Sequence, residues 1–452
     1  MNKLIIVILL VFLIACSPAQ ISAEVVLSSP SALPSLASSP IATPSGLPFV
    51  TNTPTNTQTP ISTNSSTKAS TWTTLTPLPP IQPGQPFVLS KLDMLDEHNG
   101  WGIETTGHLL RTTDGGSSWK DVTPPEAGFF ATGDTIHAWN IVRTWGACED
   151  CAGGWTIGLV AWHTADGGQS WQRGSLRKAD VLGYRPIAMQ FIDDANGWFL
   201  HVEHVGMSGF TFESLVRTRN GGESWMQVHP LADGCVSGGM IFVDEQEGWI
   251  GDDCRGLSNT LDGIPVQDFL NGKATPSLNR TTDGGNTWSS FPVPAPTVFP
   301  VNFTLPDIDP TTWVYCGIKQ MDRISQTAFL LQWSCNTAQS TTLVEISYAY
   351  LTTDRGQTWN SWLSTGNETF VSPSTGWRLL AMGDGQPGLL QKTADGALTW
   401  QTIKEVTWET AQFNFVSEQV GWANVSDNLN TALLHTVDGG KTWIEIKPVV
   451  VP

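Results

Sequence analysis

The chain repeats one eight-residue motif seven times, and this repetition constrains the fold more than any other feature. The motif reads Thr-x-Asp-Gly-Gly-x-Ser/Thr-Trp, with small departures, and its copies end at Trp119, Trp171, Trp225, Trp288, Trp359, Trp400 and Trp443. Successive motif tryptophans lie between 41 residues (359 to 400) and 71 residues (288 to 359) apart. The shorter spacings are typical of a four-stranded propeller blade, which takes roughly 40–50 residues. Seven copies therefore predict seven blades.

A second signal, a Gly-Trp pair at the start of an apolar run, precedes most copies of the motif. The pairs end at Trp101, Trp198, Trp249, Trp377 and Trp422, and we assign Trp139 and Trp313 to the same place in repeats two and five. A short strand-like run and a polar turn come before each of them. Each repeat thus reads as four short strands separated by turns. The predicted fold class is all-β, a seven-bladed β-propeller of four-stranded antiparallel blades with one motif hairpin per blade.

The third motif position carries a side chain that can cap a turn. It is occupied by Asp114, Asp166, Asn220, Asp283, Asp354, Asp395 and Asp438. Asp and Asn accept hydrogen bonds from backbone two residues ahead, and glycine supplies the positive φ that a tight turn requires. Arg355 and Ala397 replace motif glycines, so we expect strain at these two positions. The motif residues are predicted to build turns and not to form a reaction centre.

The motif resembles the Asp-box, or BNR repeat, of sialidases, sortilin-type receptors and xyloglucanases. With the Gly-Trp pairs, residues ~88–450 look most like the photosystem II assembly and stability factor family, whose members are seven-bladed propellers. The resemblance implies a non-enzymatic assembly factor for a membrane complex. That family uses a basic surface patch, whereas this chain is acidic and has few arginines.

The first fifteen residues have the pattern of an export signal. Lys3 precedes the apolar stretch Leu4–Leu13, which is too short for a stable membrane span. The segment Leu13-Ile14-Ala15-Cys16 resembles a bacterial lipobox, which implies that Cys16 is the lipid-bearing first residue of the mature protein. An ordinary signal peptide with an incidental cysteine is the alternative. We expect a protein held outside the cytoplasm, at the cell surface or periplasmic face, by this lipid alone.

Residues 16–85 are rich in Ser, Thr and Pro and almost uncharged, so we predict a disordered tether. The predicted organisation is a signal peptide (1–15), this tether (16–85) and the propeller (86–452).

The acidic balance of the chain restricts its partners. The net charge is −18, which excludes nucleic acid as a partner, because phosphate binding needs a basic surface. We expect a monomeric propeller whose partner is a protein or a glycan at the cell surface, and we expect neither cofactor nor metal.

Six further cysteines fall in close pairs, and export favours disulfide bonds between them. We predict Cys148–Cys151, Cys235–Cys254 and Cys316–Cys335, although six cysteines permit fifteen pairings. The alternative for Cys148 and Cys151 is a redox or zinc-binding CxxC, which lacks a second CxxC in this sequence.

Strand order places the longest insertions together. The motif turns and the polar turns lie on one face, and the loops between second and third strands lie on the opposite face. Repeats two to five have the longest such loops, so we predict a binding rim there, with Asp252, Asp253 and Arg255 as candidate binding residues. The rim covers 144–155, 201–212, 251–278 and 317–342. Neutral drift of surface loops is the competing explanation.

Catalytic and metal-binding patterns are sparse. A glycosidase needs two carboxyl groups across a bond, for which Asp252/Asp253 and Asp307/Asp309 are candidates, although turn roles are more common. The spacing of His201 and His204 puts their side chains on opposite faces of a strand, which argues against a shared metal. We therefore favour a binding or assembly scaffold. The alternative is a carbohydrate-active surface protein, either a sialidase-like hydrolase or a glycan-binding module.

Overall fold

The sheets of this protein follow one another around a ring. The computed structural model describes residues 72–73, 78–147, 155–176, 185–205, 211–230, 236–253, 264–265, 268–269, 271–296, 313–337, 344–381, 386–427 and 430–452. In these segments, no helix has the length and hydropathy needed to cross a membrane.

Seven four-stranded antiparallel blades make up a β-propeller, preceded by strand β1 (Trp72–Thr73) and followed by β31 (Val449–Val451). Blade 1 contains β2 (Leu89–Met94), β3 (Gly100–Glu104), β4 (Leu109–Thr112) and β5 (Ser118–Asp121). Blade 2 contains β6 (Phe129–Thr132), β7 (Ala138–Ala147), β8 (Trp155–Thr164) and β9 (Gln172–Leu176). Blade 3 contains β10 (Arg185–Phe191), β11 (Gly197–Val205), β12 (Thr211–Thr218) and β13 (Ser224–Pro230). Blade 4 contains β14 (Val236–Phe242), β15 (Gly248–Asp253), β17 (Ser277–Thr281) and β18 (Ser289–Pro292), with the short β16 (Ile264–Pro265) in its insertion. Blade 5 contains β19 (Trp313–Arg323), β20 (Phe329–Thr337), β21 (Val344–Thr352) and β22 (Asn360–Leu363). Blade 6 contains β23 (Thr369–Phe370), β24 (Gly376–Leu380), β25 (Gly388–Thr393) and β26 (Gln401–Val406). Blade 7 contains β27 (Thr410–Phe415), β28 (Gly421–Ser426), β29 (Thr431–Thr436) and β30 (Ile444–Ile446).

The core lies between blades. Among the described residues, buried apolar side chains form seven clusters, and each cluster joins two consecutive blades. The cluster that joins blade 7 to blade 1 contains Trp422 and Leu433 from one side and Leu110 and Trp119 from the other. Since a single blade cannot bury both of its faces, each sheet depends on its neighbours, and the ring is stable only when closed.

Each motif folds into the same hydrogen-bonded turn. The backbone N–H of the motif Ser or Thr donates to Oδ1 of the capping Asp or Asn at 2.8–3.0 Å in all seven copies. The backbone N–H of the residue that follows the cap donates to a carbonyl in the polar turn before the second strand, at 2.8–2.9 Å. Both turns therefore lie on one face, which we call the motif face. The connections between second and third strands lie on the opposite face, which we call the loop face.

The Gly-Trp tryptophans link one blade to the next. In four blades the indole Nε1 donates to the carbonyl of the first motif glycine of the following blade, at 2.8–3.1 Å: Trp139 to Gly221, Trp198 to Gly284, Trp377 to Gly439 and Trp422 to Gly115. The last of these bonds connects blade 7 to blade 1. The recurring residues of the repeat thus form a link between blades as well as a turn within each blade.

Blade 5 corrects one sequence assignment. Trp313 begins the first strand of this blade, so placing it at the Gly-Trp position was wrong. Phe329 and Leu330 occupy that position, because Phe329 pairs with the motif threonine Thr352, as the glycine does in other blades. Neither residue resembles a Gly-Trp pair, which explains the misassignment.

The predicted rim changes accordingly. Within the range 317–342, residues 317–323 belong to β19, residues 324–328 form the polar turn on the motif face, and 338–343 lie outside the described residues. The disulfide Cys316–Cys335 is present, with an S–S distance of 2.00 Å. Its two cysteines are direct cross-strand partners in β19 and β20, so the bond joins adjacent strands and does not hold a loop.

Both described ends of the chain add strands to the blades. Strand β31 pairs in parallel with β5, the outer strand of blade 1. Strand β1, in the region with tether-like composition, pairs with Trp145 and Gly146 of β7. It uses the edge of β7 that also pairs with β6, so it continues the inner edge of blade 2 toward the loop face.

Candidate functional site

A polar cavity opens in the wall of the central channel at blade 6. The innermost strand of that blade, β23, has only two residues, whereas β19 in blade 5 has eleven and β27 in blade 7 has six. The short strand leaves a space of about 550 Å³ between blades 5 and 7. Its lining comes from blades 5, 6, 7 and 1: Ser90, Gln320, Asp322, Gln332, Gly366, Asn367, Glu368, Thr369, Thr410, Ala411, Gln412, Phe413, Asn424, Val425, Ser426 and Thr431. This volume lies within the usual range of ligand pockets, roughly 300–1,000 Å³.

One position of the innermost strands joins neighbouring blades in three places. It lies directly opposite the Gly-Trp tryptophan and is occupied by Asp93, Gln190 and Asn414 in blades 1, 3 and 7. Asn414 Oδ1 accepts from the Met94 N–H at 2.7 Å. Gln190 accepts from the N–H of Phe242 and donates to its carbonyl, and Asp93 accepts from a blade 2 threonine hydroxyl. In these three blades the position therefore connects the inner strand to the next blade, whereas Ala131, Ile241 and Thr369 occupy it in blades 2, 4 and 6.

Asp322 occupies this position in blade 5 but lines the cavity. It lies opposite Leu330, and its Oδ2 accepts from Gln320 Nε2 at 2.7 Å. Oδ1 accepts no hydrogen bond from the part of the chain that the structure describes. Enclosure by the surrounding blades raises the pKa of Asp322, and the Gln320 amide and the charge of Lys91 oppose this only in part. The cavity thus contains a half-buried carboxyl group with an oxygen left for a ligand.

Glu368, the second carboxyl group, is committed to the local structure. It is buried, and its Oε1 accepts from the Thr365 N–H at 2.6 Å. Oε2 accepts from Ser364 Oγ at 2.8 Å and from Gln332 Nε2 at 3.4 Å. These bonds fix the turn between blades 5 and 6, so Glu368 forms part of the cavity wall.

Amide and hydroxyl groups supply most of the remaining lining. Gln412 is exposed in the cavity, whereas Phe413 is 8% exposed and belongs to the core. None of the described lining residues is a lysine or an arginine. The cavity therefore suits a neutral or cationic polar ligand and disfavours an anionic one.

The candidate residues of the predicted rim are only partly described. Asp252 and Asp253 end strand β15, where Asp252 pairs with Ser237 and Ser277 through the backbone. Arg255 lies outside the described residues, as do the cysteines 148, 151, 235 and 254 of two predicted disulfides. The lipid-anchor residue Cys16 and the pair Asp307/Asp309 also lie outside them. The cavity lies over blades 5, 6, 7 and 1, whereas the rim over blades 2 to 4 stays a prediction and its blade 5 part is corrected as described above.

The capping residues of the motif act within their own turns. Two Asp166 neighbours, the Ser170 hydroxyl and the Ser170 N–H, hold the pKa of that carboxyl at about 2. The Thr442 hydroxyl and N–H do the same for Asp438, whose pKa is also about 2. The motif tryptophans start the fourth strands, and four of them, Trp119, Trp225, Trp288 and Trp443, donate to the second motif glycine of their own turn.

The other residues considered for chemistry are buried or apart. Tyr348 and Tyr350 lie in the core between blades 4 and 5, and burial raises the pKa of Tyr348 to about 12. His201 is fully buried, and a bulge between Val202 and His204 interrupts strand β11. In the described segments, no group of three or more His, Cys, Asp or Glu side chains could hold a metal ion.

The fold and this cavity define a seven-bladed β-propeller with a polar pocket in its channel wall. No protein-family model and no curated protein matches the chain. Solved structures similar to it include YCF48 bound to D1 peptide, with 15% identity, 79% of this chain and 94% of that chain covered, and a TM-score of 0.39. YCF48 from Cyanidioschyzon merolae is 14% identical, with 80% of this chain and 98% of that chain covered and a TM-score of 0.41. The Niastella koreensis GH74 enzyme is 12% identical, with 79% of this chain and 62% of that chain covered and a TM-score of 0.31. At these identities the likenesses carry nothing about function.

A fixed spacing in the sequence marks the position of Asp322, once its blade 5 reference residue is known. The inner-strand position lies eight residues before the Gly-Trp tryptophan in each blade, for example Asp93 before Trp101 and Asn414 before Trp422. The same count from Leu330 gives Asp322. Because Leu330 was not recognised as the equivalent of that tryptophan, Asp322 was not found.

Proposed function

We propose that this protein is a non-enzymatic binding scaffold on the outer side of a membrane, anchored through a lipid on Cys16 and raised by its tether. Its ligand-binding site is the channel-wall cavity, and its partner is a protein. The role agrees with the assembly-factor resemblance of the motifs. The observation that carries it is the cavity itself, a concave polar space with one carboxyl group, that of Asp322, left for a ligand.

The geometry supports binding over catalysis. A glycosidase needs a proton donor and a second carboxylate free to act on the sugar or on water. Glu368 has hydrogen bonds to both oxygens from its own turn and from Gln332. A sialidase also needs an arginine cluster, and none of the described lining residues is an arginine.

A matched pair of blocking variants tests the cavity. Gln412→Trp places a large ring in the cavity, and Gln419→Trp places the same ring on the exposed motif face of the same blade. Proteins captured from native membranes by wild-type protein should be lost with Gln412→Trp and kept with Gln419→Trp. Equal capture by both variants would show that the cavity is not the binding site.

A carbohydrate-active role is the second candidate, because amides, hydroxyls and two carboxyl groups share the cavity. A glycan array and a panel of chromogenic glycosides distinguish the two functions. Glycoside turnover that disappears in Asp322→Asn would show that the protein is a glycosidase and not a binding scaffold. Glycan binding without turnover would show that the ligand of the cavity is a sugar.

The lipid anchor has its own test. Cys16→Ser should move the protein from the membrane fraction to the soluble fraction while leaving the propeller folded. A Cys16→Ser protein that stays with the membrane would rule out the lipid anchor.

A further inference from the structure

The cavity contains acidic side chains, and none of the described lining residues carries a positive charge to pair with them. Its titratable lining residues are Asp322 and Glu368, both acidic, and Glu368 is already hydrogen-bonded through both oxygens. Asp322 stands where blades 1, 3 and 7 bind their neighbour, yet its hydrogen-bond partner among the described residues is the neutral amide of Gln320. Lys91 acts on it electrostatically from blade 1, but it is exposed and does not line the cavity. A half-buried carboxylate with one oxygen unpaired gains most from a cation that binds it directly.

The surroundings favour an organic cation over a metal or a sugar. No described cluster has the three or more His, Cys, Asp or Glu ligands that would hold a metal ion. Sugar-binding pockets usually present an aromatic face, and the one aromatic lining residue, Phe413, is packed into the core. Ammonium and guanidinium groups carry several N–H donors, and side-chain oxygens of Gln412, Thr410 and Ser426 line the same cavity as the carboxyl group. The net charge of −18 attracts cations to the whole molecule.

We propose that the channel-wall cavity recognises the cationic side chain of a lysine or arginine on the partner protein, with Asp322 as the residue that pairs with it. This inference rests on the proposed function, since it assigns the chemistry that the scaffold would read.

Two peptides that differ by one charged group test this inference. Acetyl-Gly-Lys-Gly-amide and its norleucine analogue are titrated against the full-length, detergent-solubilised protein by ligand-observed NMR. We expect the lysine peptide to bind about tenfold more tightly or better, which is the usual scale for a charge paired in an enclosed site. Asp322→Asn, which keeps the shape of the side chain, should remove the preference, and Glu97→Gln, exposed on the motif face, should retain it. Unchanged circular dichroism melting shows that both variants are folded.

Each other result overturns the inference in a recognisable way. Equal affinity for the two peptides, or a lysine preference that survives Asp322→Asn, would overturn cation recognition. If Gln412→Trp still abolished partner capture, the scaffold function would stand without it. Butylamine that binds as tightly as the lysine peptide would assign the cavity to a free amine and overturn the protein side chain as its ligand.

Discussion

At the residue scale, hydrogen bonds of the motif turn override the intrinsic preferences of its residues. Arg355 and Ala397 have φ values of 59° and 66°, in the left-handed region that the glycines of other copies adopt. This conformation costs a non-glycine residue about 1–2 kcal/mol. The Arg355 guanidinium forms ion pairs with Asp244 and Glu247 of blade 4, which offset part of that cost. The strain expected from the sequence is therefore present, and the turn forms in spite of it.

The capping residue is predicted to stabilise the fold through its acceptor oxygens. Asp438→Ala removes the acceptors of Thr436 Oγ1, Thr442 N–H and Thr442 Oγ1, and should lower the free energy of unfolding by about 1–2 kcal/mol. Asp438→Asn should cost less than half as much, because Asn220 makes equivalent bonds in blade 3. Urea denaturation followed by tryptophan fluorescence measures both, and an equal loss in the two variants would contradict the capping role.

Buried histidines are predicted to make the fold sensitive to acid. Burial lowers the pKa of His201 from 6.5 to about 4, and the Val202 backbone opposes this only weakly. Between pH 6.5 and 4 the unfolded chain binds a proton that the folded protein does not, so stability falls as the pH falls. The loss for one such histidine is roughly 2–3 kcal/mol between pH 7 and 4.5.

Replacing the histidine should remove that part of the pH dependence. His201→Leu is expected to show a smaller drop in unfolding free energy between pH 7 and 4.5 than wild type, by roughly 2 kcal/mol. The control, His98→Gln, changes an exposed residue of the blade 1 turn. An unchanged pH profile in His201→Leu would mean that His201 is not responsible.

At the scale of single elements, the second strand of four blades carries a tryptophan that bonds to the motif turn of the next blade. Within the blade, the residue opposite the tryptophan packs on its ring, since Arg217 lies 4.7 Å from the Trp198 ring centre and Lys392 lies 4.7 Å from that of Trp377. In blade 5 both members of this pair are leucines, Leu330 and Leu351. Local pattern predicted these strands wherever the Gly-Trp pair occurs, and it misplaced the strand in blade 5, where only tertiary pairing identifies the equivalent residues.

Two tryptophans separate the hydrogen bond between blades from simple packing. Both Trp422 and Trp249 are fully buried, but Trp422 Nε1 donates to Gly115, whereas Trp249 Nε1 has no hydrogen-bond partner among the described residues. Trp422→Phe should therefore destabilise the protein more than Trp249→Phe, by about 1 kcal/mol. Thermal unfolding by circular dichroism gives the comparison, and equal losses would assign no stabilisation to the indole N–H.

At the scale of the whole molecule, the ring is closed by contacts between residues far apart in sequence. The bond from Met94 N–H to Asn414, the bond from Trp422 to Gly115 and the parallel pairing of β31 with β5 all join blade 7 or the C-terminal end to blade 1. Because every blade buries its faces against two neighbours, losing this closure exposes apolar surface on both sides of the gap.

Neighbouring valines of β31 test how much the closing strand matters. Val450 is 3% exposed and Val451 is 37% exposed, since successive residues of a strand face opposite sides. Val450→Asp buries a charge and should cost more than about 3 kcal/mol of unfolding free energy, whereas Val451→Asp should change it by less than about 1 kcal/mol. Similar melting temperatures for the two variants would show that β31 does not help to close the ring.

The sequence by itself determined the number of blades, the turn in each and the face on which those turns lie. This was possible because the motif acts locally: a capping side chain, two residues with positive φ and a tryptophan operate within eight residues of chain. The cavity was decided only by the tertiary structure. Its wall combines Ser90, Asp322, Glu368 and Gln412, which closure of the ring brings together, and the space exists because β23 is two residues long. The spacing of eight residues locates Asp322 only after tertiary pairing has identified Leu330 as the equivalent of the Gly-Trp tryptophan.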